Sequence, residues 1–233
     1  MQEGWTRRYF LQAAGLTVAA HRIGLAHALP LHPAPEFAYV AVQGPGLRSG
    51  IQVLRSISGQ WESIQFVDSV APSVVLLGED LLIVANARTR FEGLPTASVE
   101  SYRVHPHSRT LTLIERRALG LASVMPHAMA LSPDQSLLVV ATSAGTYNIL
   151  PVRSDGAIGE VTAVRKETRS DTGSSEKMHF VNNNELRVED ALGVRMYRCD
   201  RDSISLVQAS SAGTAPRSNA NAERFSTTAR RDL

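Results

Sequence analysis

Few side chains in this sequence stand in arrangements that could do chemistry. His105 and His107 flank Pro106 and could supply two arms of a metal site, but no third ligand lies near them in sequence. We therefore interpret both as solvent-exposed turn residues. Cys199 is the single cysteine, and a lone thiol can form neither a disulfide framework nor a cysteine-only zinc site. Because no histidine or acidic motif surrounds Cys199, a structural thiol is favoured over a nucleophile.

Composition and charge set the limits on the fold and on the partners. The chain has 233 residues, of which 43% are hydrophobic and 20% are charged, so it can bury a sizeable core in one or two domains. The 24 lysines and arginines are scattered among 22 acidic residues, and the net charge is only +2. This mixed surface predicts no nucleic-acid partner.

The first 28 residues have the pattern of an export signal. The pair Arg7 and Arg8 precedes a weakly apolar stretch, and the small triplet from Ala26 to Ala28 would be the cleavage site. The twin arginine resembles the signal of bacterial Tat export, which predicts a periplasmic or secreted protein. The apolar part is too short to span a membrane, so we expect no stable span after cleavage. An uncleaved anchor and an amphipathic helix of the mature domain are the alternatives.

From residue 36 onward, short β-branched and aromatic runs alternate with turn residues, and no stretch shows a sustained helical period. Four hairpin-like units can be set in register on Leu54, Tyr102, Leu150 and Tyr197, with separations of 48, 48 and 47 residues. Upstream of three of the units lie matching strands, LLIVANA, SLLVVAT and ELRVEDA. A fixed period of this length is typical of a repeat architecture.

Four antiparallel strands in about 48 residues correspond to one blade of a β-propeller. The sequence therefore predicts an all-β fold, a partial β-propeller of about three to four four-stranded blades over residues 36–208. A β-sandwich of similar hairpins is the rival, but it does not require a constant spacing. Closed propellers typically have four to eight blades, so a closed four-bladed ring is an uncommon alternative. We expect an open ring or one completed by something absent from this chain, with possible self-association through open blade edges.

Four phrases within residues 37–207 carry a resemblance to a known protein family: FAYVAV, GLPTASVESYRVHPHSRTLTL, PHAMALSPDQSLLVVATSAGTYNILPVRSDGAIGEV and RKET. In these phrases the chain resembles the β-propeller lactonase family, which includes bacterial 6-phosphogluconolactonase. The resemblance implies a seven-bladed propeller that opens a sugar lactone by hydrolysis without metal or organic cofactor. Such a reaction needs a base that activates water, donors for the oxyanion and cationic groups for a phosphate or carboxylate.

Carried over by position, the resemblance implies catalytic roles for Glu167, His127 and His179, and substrate-binding roles for Arg217, Lys177 and Asp190. Four of the six have a simpler interpretation from the residues themselves. Glu167 could be a solvated loop glutamate, His127 a structural hydrogen-bonding histidine and His179 a strand residue. Asp190 could organise a turn, and Arg217 could bind an anion only if the tail folds over the channel.

The sequence departs from the family after the RKET phrase. Lys177 stands where the family has the second histidine of a His-Pro-His phrase, and Ser218 replaces the histidine that follows the residue matched by Arg217. Residues 209–233 are rich in Ser, Ala, Thr, Asn and Arg, a composition that predicts a disordered tail. The product of a frameshift is the alternative, since the tail begins where the family phrase is lost. Two functions stay open: a sugar lactonase impaired by the missing blades, and a non-catalytic propeller fragment that binds a ligand or a protein.

Overall fold

The computed structural model describes residues 18–21, 36–44, 48–143, 145–167, 177–190 and 193–211. Within these ranges the chain forms sixteen β-strands and no helix. The strands make four sheets of four, and each sheet is an antiparallel meander whose strands follow one another in chain order. The all-β prediction and the blade prediction are confirmed, and the described residues form four blades.

Each sheet is one blade. Blade 1 contains β1 (Val18–His21), β2 (Glu36–Val42), β3 (Gly50–Ile57) and β4 (Gln60–Asp68). Blade 2 contains β5 (Pro72–Leu77), β6 (Leu81–Asn86), β7 (Ser98–Val104) and β8 (Leu111–Ala118). Blade 3 contains β9 (Pro126–Leu131), β10 (Leu137–Thr142), β11 (Thr146–Pro151) and β12 (Ala163–Lys166). Blade 4 contains β13 (Lys177–Asn182), β14 (Glu185–Asp190), β15 (Gly193–Asp200) and β16 (Ser203–Ser211).

The second strands of blades 2 and 3 are apolar on both faces because both faces are covered. Along β6, Leu82 and Val84 pack toward blade 1, whereas Leu81 and Ile83 pack toward blade 3. The strand β10 repeats this division between blades 2 and 4. Since successive side chains of a strand point to opposite faces, a strand buried on both sides becomes a continuous apolar run.

The cores of the protein lie between blades. One cluster joins blades 1 and 2, a second joins blades 2 and 3, and a third joins blades 3 and 4. Tyr102 and Tyr197, which the sequence places in register, are fully buried in the first and third of these clusters. The 48-residue period is therefore the spacing at which the chain rebuilds the same packing surface.

The first strands of successive blades lie side by side, so they form the inner side of the array. In each meander the first and third strands begin at the end where the second and fourth strands finish. We call this the entry end of the blades and the opposite one the turn end. Of the predicted site residues that the structure describes, His127, Glu167, Lys177, His179 and Asp190 all lie toward the entry end.

The structure differs from the sequence prediction in two places. The strand β1 pairs with β2, so the first sheet includes residues before the predicted start of the propeller at residue 36. The remainder of the predicted export signal lies outside the described residues, and the signal stays a prediction. The hairpin-like unit predicted around Leu150 closes through the single bridge between Val152 and Ile158, and its returning strand begins only at Ala163.

Replacing Leu138 with alanine should destabilise the protein by about 2–5 kcal/mol, because this side chain is fully buried between blades 2 and 3. Urea unfolding followed by circular dichroism measures the loss. The matched control is Leu113→Ala on β8, where the side chain is 40% exposed and the cost should be much smaller. Equal losses at the two positions would contradict the inter-blade core.

Candidate functional site

Buried polar side chains gather at the entry end of each blade interface. Between blades 1 and 2 the Glu100 side chain is only 3% exposed. Its carboxylate accepts hydrogen bonds from Tyr102 Oη at 2.5 Å, from Ser69 Oγ at 2.6 Å and from Arg116 Nε at 2.9 Å. Ser69 Oγ also lies 3.0 Å from Asn86 Oδ1. Each carboxylate oxygen has a donor, which is the condition under which a buried acid is tolerated.

Between blades 2 and 3 the corresponding group is neutral. The Asn148 side chain is fully buried, and its Oδ1 accepts from the Gly120 amide at 2.9 Å and from Ser123 Oγ at 3.0 Å. The hydroxyls of Thr142 and Thr146 lie 2.6 Å apart beside it. This cluster ties the second and third strands of blade 3 to the loop that leaves blade 2.

Between blades 3 and 4 the group contains Glu167. Its Oε1 accepts from Tyr197 Oη at 2.7 Å and from Arg165 Nε at 3.2 Å, and its Oε2 accepts from Arg195 at 3.3 Å. Arg195 also donates to Asp190 Oδ2 at 2.6 Å. The Glu167 side chain is 13% exposed and that of Asp190 is 1% exposed. Glu167 is thus part of the blade contact rather than a solvated loop residue.

The polar residues at the three interfaces occupy one repeated position. Glu100, Asn148 and Arg195 stand two residues before Tyr102, Leu150 and Tyr197 respectively, and each lies on the third strand of its blade. Sequence reasoning missed this position, although the period that set Tyr102, Leu150 and Tyr197 in register also aligned it. Three different side chains occupy this position. The sequence pattern that marks it is a polar residue two positions before the register residue of each blade, and not a shared residue type.

Burial and the neighbouring acids hold the interface tyrosines in the neutral form. Burial is the main reason that the pKa of Tyr102 lies above its usual range, with the hydrogen bond to Glu100 adding to it. The pKa of Tyr197 is raised by burial and then by the hydrogen bond to Glu167. Burial also raises the pKa of Cys199 to about 12, which keeps this thiol protonated and supports its interpretation as structural.

A β-bulge presents His127 at the entry end of blade 3. Ala141 pairs with Ala128 and Thr142 pairs with Pro126, so His127 is the extra residue of β9, and its side chain is exposed. Bulges of this kind re-aim side chains and are enriched beside functional sites. The residue before the bulge, Met125, has a φ of 53°, a left-handed conformation that is uncommon outside glycine.

Blade 2 has a β-bulge at the same place, and its extra residue is a serine. Ser73 is the extra residue of β5, between Pro72 and Val74, and the residue before Pro72 is Ala71, with a φ of 54°. The Ser73 hydroxyl donates to the Ala85 carbonyl at 3.0 Å and lies 3.1 Å from the Pro126 carbonyl of blade 3. The two bulges therefore lie at equivalent places in neighbouring blades, and one of them carries an imidazole.

The other predicted site residues divide between the inner strands and the blade contact. Lys177 and His179 lie on β13, the inner strand of blade 4 next to β9, and both side chains are exposed. Asp190 belongs to the buried contact with Arg195. Arg217 lies outside the described residues. The structure thus places His127, Lys177 and His179 on adjacent inner strands and separates them from the buried pair of acids.

His105 and His107 lie in the turn between β7 and β8, at the turn end. His105 Nε2 is 2.8 Å from the Thr112 hydroxyl, as expected for a turn residue. The described part of the chain contains no group of three or more metal-ligating side chains and no helix that could cross a membrane. A cavity of about 270 Å³ opens at the turn end between blades 2 and 3, and the predicted site residues do not line it.

Comparison with solved structures places this arrangement among known propellers. The periplasmic gluconolactonase PpgL of Pseudomonas aeruginosa superposes with a TM-score of 0.58 at 24% identity, over 71% of this chain and 50% of that one. The chain has the fold of the β-propeller lactonases. A 6-phosphogluconolactonase candidate from Bacteroides fragilis gives a TM-score of 0.57 at 15% identity, over 72% of this chain and 49% of that one.

The lactonase fold is not the only propeller that the chain matches. Hsv2 of Kluyveromyces marxianus superposes with a TM-score of 0.53 at 13% identity, over 75% of this chain and 58% of that one. No protein-family model matches the sequence, and no curated protein matches it either. The chain spans about half the length of the lactonase-fold structures. Similarity at these identities describes the fold, and activity has to be argued from the site.

Replacing Glu167 with glutamine should destabilise the protein by about 1–3 kcal/mol, because the change removes a charge that faces Arg165 and Arg195 in a mostly buried contact. Urea unfolding measures the loss. The control is Glu160→Gln at an exposed position, where we expect a change below about 0.5 kcal/mol. If both variants unfold at the wild-type midpoint, Glu167 does not stabilise the contact between blades 3 and 4.

The chain should lose stability in alkali, starting above about pH 9. In the unfolded chain Cys199 releases its proton near its usual pKa of 9.0, whereas the folded protein retains it up to a pKa of about 12. Tyr39, Tyr102 and Tyr197 follow above their usual pKa of 10.0. The folded state then binds more protons than the unfolded state, so stability falls by about 1.4 kcal/mol per pH unit for each group.

Urea midpoints measured between about pH 8 and pH 11 check this expectation. Cys199→Ala should move the onset of the loss to the range where the tyrosines of the unfolded chain ionise. An onset that is the same in Cys199→Ala and in the wild type would show that the thiol is not the first group to contribute.

Proposed function

We propose that this protein binds a sugar lactone at the entry end of its blades and opens it by hydrolysis. The observation that carries the proposal is the exposed His127 on the bulge of β9, at the entry end. Lys177 and His179 are exposed on the adjacent inner strand β13, on the face of blade 4 that points away from blade 3. Imidazole changes charge near neutral pH and is the side chain most often used to move a proton in catalysis. The lactonase fold supports the choice of substrate class.

In the proposed reaction a water oxygen attacks the lactone carbonyl carbon while the imidazole of His127 or His179 accepts the water proton. The ester C–O bond of the ring then breaks, and the leaving ring oxygen takes this proton back from the imidazolium to become a hydroxyl group. The product is an open-chain sugar acid, whose carboxylic acid group releases a proton to solvent and becomes a carboxylate. Lys177 supplies a positive charge for a phosphate on the substrate or for the new carboxylate.

Glu167 and Asp190 act as structural acids in this proposal. The two carboxylate oxygens of Glu167 are engaged by Arg165, Arg195 and Tyr197, and Asp190 is held by Arg195. We expect these contacts to fix the end of β12 and the start of β15 and thereby the strands beside the exposed histidines. We also propose that the protein is exported to the periplasm or beyond, as the pattern of its first 28 residues predicts.

A non-catalytic binding module is the second candidate. It is favoured by the engagement of Glu167 and Asp190 in the blade contact, since neither acid is then available to assist an imidazole. In that case the same exposed side chains bind a lactone or a sugar acid without turning it over.

A pH-stat assay of proton release separates lactone hydrolysis from the non-catalytic binding module. The assay uses the purified full-length chain with either gluconolactone or its 6-phosphate. We expect a rate above the spontaneous hydrolysis of each lactone, and a loss of at least about tenfold in the His127→Ala, His179→Ala double variant. Lys177→Ala should slow the phosphorylated lactone more than the plain one. His105→Ala, at the turn end, is the matched control and should keep the wild-type rate.

Proton release no faster than in buffer contradicts hydrolysis. Calorimetric binding of gluconate that is lost in the double variant would then support the binding module, and no binding would reject both functions at this end of the blades. A wild-type rate in the double variant would reject the two histidines.

A further inference from the structure

The second strands of blades 2, 3 and 4 align without a gap and can be compared residue by residue. They read LLIVAN in β6, LLVVAT in β10 and ELRVED in β14. The second and fourth residues pack toward the preceding blade in all three strands, as leucine followed by valine: Leu82 and Val84, Leu138 and Val140, Leu186 and Val188. This face is the same in blades 2, 3 and 4.

The opposite face changes in the last blade. The first, third and fifth residues of β6 and β10 pack against the next blade with exposures of 0–8%: Leu81, Ile83, Ala85, Leu137, Val139 and Ala141. In β14 the same three places hold Glu185, Arg187 and Glu189. A surface that is apolar in two blades is therefore charged in blade 4. We call the side of blade 4 that carries these three residues its outer face.

The neighbouring strands extend this charged surface. On one side of β14, Lys177 pairs with Glu189 and His179 pairs with Arg187. On the other side, Arg198 pairs with Glu185. Directly opposite pairs share a face of the sheet, so positive and negative groups alternate across the outer face.

The charges on this face are partly neutralised by one another and remain in contact with water. Arg187 Nε lies 2.8 Å from Glu189 Oε1, and the two side chains are 43% and 37% exposed. The apolar residues of β15 on this side, Val194 and Met196, stand opposite Glu189 and Arg187 and are half-buried. Long charged side chains can cover such neighbours with their aliphatic parts while their charged ends stay in water.

We infer that the outer face of blade 4 is a water-facing surface that does not take a further blade of the lactonase type. Packing a blade on it would remove Glu185, Arg187 and Glu189 from water, and the desolvation of buried charges costs several kcal/mol per ion unless each has a well-placed partner. Terminal units of repeat arrays have this kind of polar outer face.

The charges on the outer face of blade 4 also bear on how two copies of the chain could associate. Two copies of the chain could complete a ring head to tail only by placing the outer face of blade 4 against the opposite side of blade 1. That side of blade 1 carries a small apolar cluster of Ala38, Val40 and Leu54. The directly paired residues Glu36, Gln52 and Ser56 stand on the same face. Because this contact would still take Glu185, Arg187 and Glu189 out of water, we expect no ring built from two copies through this face.

Carboxyl labelling of the wild-type chain by a water-soluble carbodiimide tests the inference directly. Glu185 and Glu189 should react at rates similar to that of the exposed Glu62, with no loss of reactivity as protein concentration is raised. Loss of labelling at Glu185 and Glu189 with rising concentration, while Glu62 keeps its reactivity, would show that another chain covers the face and would overturn the inference.

A triple variant tests the role of the charges. Glu185→Leu, Arg187→Val and Glu189→Ala together copy the residues of β10 and should produce self-association, seen in sedimentation as a species of at least twice the 25.2 kDa of the single chain. The matched control is Glu62→Leu, Arg153→Val and Glu160→Ala, which makes the same changes at scattered exposed positions and should sediment like the wild type. A triple variant that sediments like its control would contradict the inference, and the labelling result decides it if the variant does not fold.

Discussion

The packing of each blade against the next is the interaction on which the rest of this structure depends. A four-stranded meander has two broad faces, and in blades 2 and 3 both of them are apolar. Neither blade could hold these faces in water, so each is stable only between its neighbours. The strand order, the 48-residue period and the position of the buried tyrosines all follow from this requirement.

The same requirement explains where polar groups are allowed. They enter the blade interfaces at one end, as the clusters built around Glu100, Asn148 and Arg195. At this end loops and strand termini supply donors, whereas the clusters between the blades consist of hydrophobic side chains. The polar clusters and the exposed histidines consequently lie at the same end of the array, and the inner strands place His127 and His179 on adjacent elements.

The architecture could be predicted from the sequence because it repeats. The runs LLIVANA and SLLVVAT reveal strands buried on both sides, and the hairpins centred on Tyr102 and Leu150 supply the period. The site was less predictable. Glu167 follows a short strand and reads as a solvated residue, because its partners Arg195 and Tyr197 come from a different blade some thirty residues later in the chain. Contacts between distant segments leave no local pattern, and the bulge at His127 depends on a pairing register that the sequence does not display.

The bulges of β5 and β9 show one backbone arrangement that holds two different side chains. A left-handed residue, a proline and one extra strand residue occur in the same order, and the extra residue is Ser73 in one blade and His127 in the next. The strand pairing around the bulge does not depend on which side chain the extra residue carries, because the extra residue takes no part in the regular pairing. A substitution at this place can therefore exchange a hydroxyl for an imidazole while the blade stays intact. The bulges of successive inner strands are therefore equivalent positions around a shared inner surface, and new chemistry can evolve there one residue at a time.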